Sequence, residues 1–113
     1  MSSIAAGVAL FNAQKFWDAH EAWERLWLDA SGDEKMFLQG LIQLAAAYHH
    51  VQRGTFRGGV RLFDAALAKL ERFENGHDGI DRGDAIAAAR EHRGKIARGE
   101  HIASGELPKL RYN

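Results

Sequence analysis

The pattern that most constrains this chain occurs twice. Phe16, Ala19, Trp23 and Trp27 recur forty residues later as Phe56, Gly59, Phe63 and Leu67, aligning FNAQKFWDAHEAWERLWLDA with VQRGTFRGGVRLFDAALAKL. Steps of three and four residues place all four positions on one face of a helix. A small residue between large rings lets a neighbouring helix approach closely. Each copy therefore reads as the second half of a helical hairpin. The pattern predicts an all-α single domain of about five helices, with two stacked hairpins, a closing helix and a docked tail. The packing resembles that of tetratricopeptide repeats, although those are ~34 residues long. It is shared packing geometry and implies no peptide-binding role.

The remaining helices follow from periodicity and caps. Ser2 and Ser3 are candidate N-caps for a first helix through about Ala13, with Ile4, Val8 and Phe11 on its apolar face. The second helix runs from about Phe16 to Ala30, with Phe16, Ala19, Trp23, Leu26 and Trp27 forming its stripe. A third, from about Asp33 to Arg53 with Asp33 as its cap, directs Phe37, Leu41, Leu44, Tyr48 and Val51 inward. Gly40 within it predicts a close helix approach. The fourth extends from about Thr55 to Glu74, where Gly58 and Gly59 again invite tight packing. After a polar connector at HDGIDRGDA, a fifth helix from about Asp84 to Arg98 has little apolar material and is expected on the outside. The tail holds Leu107, Pro108, Leu110 and Tyr112, and its apolar residues predict docking on the body or on a partner subunit. Residues 1–75 thus form the hairpins, and residues 76–113 the connector, outer helix and tail.

Composition narrows the partners. With 113 residues the chain supports one core. Its 15 Lys+Arg and 15 Asp+Glu cancel, so no global field attracts nucleic acid or anionic lipid. Arg53, Arg57 and Arg61, together with Arg90, Arg93, Lys95 and Arg98, are basic, but Asp64, Asp84 and Glu91 dilute them and no aromatic is interleaved. A solvated face is the expected reading. The absence of Cys excludes disulfides and thiol chemistry and fits a reducing compartment. No apolar run approaches the ~20 residues of a membrane span, so a cytoplasmic location is expected.

The chemistry concentrates on the second and third helices. His20 and Glu24 lie four apart on one face, Glu21 sits one position round, and Trp17 and Trp27 flank them. On the third helix Gln39, Gln43 and His50 form a polar line beside the apolar stripe. Antiparallel packing would bring the two lines together. Two readings stand side by side: a ligand pocket made of His20, Glu21, Glu24, Gln39, Gln43 and His50 with tryptophan walls, or a hydrogen-bonded network that fixes helix register. The leading function is a non-catalytic binding module, and the alternative is a small hydrolase-like enzyme using His20, Glu24 and His50. A divalent metal would take the same three residues, which are legitimate ligand types. The string His-Glu-x-x-Glu matches neither His-Glu-x-x-His nor the Glu-x-x-His of di-iron bundles. Without Cys or Gly-x-Ser-x-Gly, no covalent nucleophile is visible. His49 is placed near the edge of the stripe, and His77, His92 and His101 are expected at the surface. A homo-oligomer is expected from the aromatic content.

These residues also carry a family resemblance. FN at 11–12, FWDAHEAWE at 16–24, QGLIQLAAA at 39–47 and GTFRGG at 54–59 resemble the family called domain of unknown function 309. The resemblance covers about Leu10 to Leu70 and implies a small helical protein of the bacterial and archaeal kind, with no activity to transfer. Its matching positions are Asn12, His20, Glu21, Glu24, Gln39, Gly40, Gln43 and Gly58. Trp23 stands where the family pattern leads one to expect leucine, which implies different packing beneath His20.

Overall fold

Ser3 begins the first helix by accepting a hydrogen bond from the Ala6 amide on its side chain, at 3.1 Å. In the computed structural model, which describes residues 3–112, that helix is α1 (Ile4–Asn12). Ser2, the other candidate cap, lies outside the described residues. The chain then turns through Gln14, in the left-handed region at φ 62°, and enters α2 (Phe16–Asp29). A further break leads into α3 (Gly32–Arg53), which Ser31 precedes in extended conformation without a side-chain cap. The expected cap, Asp33, lies inside the first turn instead. Gly54, at φ 73°, ends α3 and lets the chain reverse into α4 (Phe56–Leu70).

One aromatic cluster joins these four helices. Phe11 meets Phe16 edge-on at 4.9 Å, Phe16 stacks on Tyr48 at 5.4 Å, and Tyr48 meets Phe63 edge-on at 4.9 Å. Glycines set the close approaches. A Cβ at Gly40 would lie 2.8 Å from the Leu70 side chain, and one at Gly59 would lie 3.0 Å from Ile96. Trp23 is fully buried and donates its indole N–H to the Ile4 carbonyl at 3.2 Å. Its ring occupies the space that any side chain at Gly7 would need, so the large residue at 23 is accommodated by a glycine on α1.

After α4 the chain forms a turn at His77–Gly79 and a short strand, β1 (Ile80–Asp81), before α5 (Gly83–Ala97). β1 pairs antiparallel with β2 (Arg111–Tyr112), with Ile80 opposite Tyr112. This two-residue ladder, which the sequence pattern did not announce, leaves the fold all-α. It exists because the tail docks. The Asn12 side chain donates to the Leu110 carbonyl at 2.8 Å and accepts from its amide at 2.7 Å, and Leu110 is buried.

α5 corrects one expectation. It is not merely an outer helix, because Ala85, Ala89, His92 and Ile96 are all buried. Arg82, just ahead of it, is also buried and donates to the carbonyls of Phe73 and Glu74 at 2.9 and 2.8 Å. Its guanidinium lies over the Phe37 ring. No helix among the described residues is long and apolar enough to cross a membrane.

Candidate functional site

The polar face of α2 stands next to α3. His20 Nε2 lies 3.6 Å from a Glu24 carboxylate oxygen, one turn along the same helix. Trp17, half-exposed, stacks flat on the His20 ring at 4.5 Å and 14°. It also tilts over His49 at 5.1 Å. At the other end Lys35 places its ammonium 4.2 Å from the Trp27 ring centre. Between the helices is a pocket of about 170 Å³ lined by His20, Glu24, Trp27, Gln39 and Ile42. Two polar atoms on these helices are buried without a hydrogen-bond partner among the described residues, His20 Nδ1 and Gln43 Oε1. Ordinary interiors leave few such atoms unmatched.

The polar line expected on α3 divides. Gln39 joins His20 and Glu24 at the pocket wall, and Gln43 lies one turn further along. Glu21 is exposed and does not line the pocket. His50 does not line it either. Its Nδ1 sits 2.6 Å from the Thr55 hydroxyl, and its ring packs over Gly58. The glycine pair at the start of α4 opens a slot beside this end of α3, and the imidazole fills it. His20, Glu24 and His50 therefore do not assemble as three ligands of one metal.

His49 takes the place near Trp17. Burial and the nearby positive charges of Arg53, His50 and His20 hold its imidazole below its ordinary value. Helical spacing alone favoured His50, which continues the line of Gln39 and Gln43. The signal for His49 was its register with Ile42, seven residues earlier, since both face α2. Of the basic residues, Arg90 pairs with Glu71, and Arg93 makes two hydrogen bonds to Asp64 at 2.9 and 3.1 Å.

Residues 4–62, a little over half of the chain, match the family described as Domain of unknown function (DUF309). The chain belongs to this family. A solved structure similar to this DUF309 protein is that of a conserved hypothetical protein from Thermus thermophilus. The two are 34% identical, with 80% of this chain and 94% of the other covered and a TM-score of 0.70. No curated protein matches the chain. The family match takes in Trp17, His20, Glu24, Trp27, Gln39, Gln43 and Gly58, and it ends before the connector and α5.

Proposed function

We propose that this DUF309 protein is a non-catalytic binding module that holds a small polar ligand between α2 and α3. The observation that carries this reading is a pocket whose wall residue His20 has a buried Nδ1 with no hydrogen-bond partner among the described residues; Gln43 Oε1, one turn along α3 from the wall residue Gln39, is a second such atom. A volume of about 170 Å³ has room for about five water molecules, well short of an ordinary drug-sized site. A ligand of a few heavy atoms with both donor and acceptor groups fits that chemistry. Gln39 and His20 would address its polar edge, and Trp27 and Ile42 its apolar side. Glu24 favours a neutral or cationic occupant over an anion.

The test is a titration of the full chain with acetamide and with methylammonium, followed by the indole N–H resonances of Trp17 and Trp27. Saturable shifts at Trp27 that disappear in His20→Ala support the reading. Linear, non-saturating shifts, or shifts unchanged by His20→Ala, overturn it. The hydrolase-like alternative rests on the His20–Glu24 pair alone, since His50 is engaged by Thr55. The exposed rims of Trp17 and Leu28 are the surfaces where we place a contact between copies, which sedimentation would reveal. A cytoplasmic location is the reading that a cysteine-free chain supports.

A further inference from the structure

A second cluster lies away from that pocket, and two of its three residues fall outside the stretch matched by the family. Glu34 is in the first turn of α3, while His77 and Asp78 belong to the turn between α4 and β1. One ligand atom from each lies within 4.8 Å of the other two. We propose that Glu34, His77 and Asp78 form a binding site for a divalent transition ion of the zinc type.

The ring that would supply the nitrogen is fixed by packing. His77 meets Phe37 at 4.5 Å and Phe73 at 4.8 Å, which sets the direction of its Nε2. That nitrogen stands 3.7 Å from a Glu34 oxygen and 3.7 Å from an Asp78 oxygen. Both distances are too long for a hydrogen bond, and Nε2 is a buried atom with no hydrogen-bond partner among the described residues. They are close to the edges of a coordination polyhedron, because donors about 2.1 Å from a tetrahedral ion lie about 3.4 Å apart. Small side-chain rotations close the difference.

The charges also suit a cation. Glu34 is pushed up to about 7, first by burial and then by the hydrogen bond and negative charge of Asp78. A divalent ion between the two carboxylates would relieve that repulsion. The positive end of the α3 dipole opposes it, but about half a charge is outweighed by two carboxylates. One imidazole with two carboxylates selects an ion of zinc type over calcium or magnesium, which prefer oxygen alone. A surface hollow lined by Asp33, Arg72 and Asn75 reaches His77. A bound ion would tie the turn at 77–79 to the start of α3.

The test is calorimetric titration of the chelator-stripped full chain with zinc chloride. Wild type and His20→Ala are expected to bind one equivalent, and Glu34→Gln and Asp78→Asn to bind it about tenfold or more weakly. Asp78→Asn retains a residue that tolerates the left-handed backbone at φ 53°. Circular dichroism confirms folding, and Glu34→Gln stands as the second variant if Asp78→Asn unfolds. Absence of zinc binding in wild type overturns the proposal. So does binding unchanged in both carboxylate variants, or binding lost in His20→Ala. Because His20 belongs to the pocket between α2 and α3, failure at one site leaves the other reading intact.

Discussion

The Tyr48 hydroxyl lies 2.8 Å from Nδ1 of His92, and the two side chains are buried, at 0% and 4% exposure. This contact draws α5 into the core, where Tyr48 already joins Phe16 and Phe63. Burial pushes the Tyr48 hydroxyl up, so it stays a neutral phenol across the accessible pH range.

The same burial makes His92 a source of acid sensitivity. Its imidazole is held below its ordinary value chiefly by burial; Glu91 and Glu106 oppose that shift and Lys95 adds to it. The unfolded chain then binds the proton more readily than the folded one. The stabilising contribution is complete above the unfolded value of about 6.5 and is lost as pH falls through the lower folded value. Urea unfolding at pH 8 and pH 5 should show this as a difference: wild type should lose more stability, or gain less, than His92→Gln, which cannot titrate but still accepts from Tyr48. Glu34, pushed up to about 7, acts in the opposite direction in both proteins. An equal change in the two proteins would remove His92 as the cause. At pH 8, Tyr48→Phe should cost about 1–2 kcal/mol by leaving the imidazole unpartnered.

Asn12 clamps the tail through both polar atoms of Leu110. Asn12→Ala removes the donor and the acceptor at once, and about 1–2 kcal/mol of stability should go with them. Amide exchange at Leu110 and at Ile80, whose strand the tail pairs with, should accelerate while α3 stays protected. Asn12→Asp keeps the acceptor and should fall between. Equal exchange rates in all three proteins would mean that Leu110 burial alone holds the tail.

The tryptophans divide three ways: Trp23 holds the core, Trp27 lines the pocket, and Trp17, expected as a second wall, stacks on His20 outside that lining. Trp23 is fully buried and hydrogen-bonded to Ile4, so Trp23→Ala should cost about 3–5 kcal/mol. Trp17 is 48% exposed, and Trp17→Ala should change stability by less than about 1 kcal/mol. Thermal and urea unfolding compare them directly. A loss at Trp17 as large as that at Trp23 would make its stack on His20 a structural contact first.

Much of this protein was legible in its residues. Apolar spacing on each segment reflects the single face a helix can bury, so the helices and the hairpin order follow from local periodicity. Gly40 and Gly59 announced close approaches because only a missing Cβ permits them, and Leu70 and Ile96 fill those spaces. The adjacency of His20 and Glu24 needed nothing beyond one helical turn. Contacts between elements distant in the chain were another matter. His92 carries no sequence mark of burial; it is buried because Tyr48 reaches it across the core. His49 and His50 differ by one position, and which of them meets Trp17 was decided by the slot that Gly58 opens for the other. The grouping of Glu34 with His77 and Asp78 spans more than forty residues and exists only because Phe37 and Phe73 bring the turn back onto α3. The sequence by itself determined which faces had to be buried, since that depends on residues within a few turns. The tertiary structure alone decided which polar groups those buried faces would bring together, because that depends on where separate helices meet.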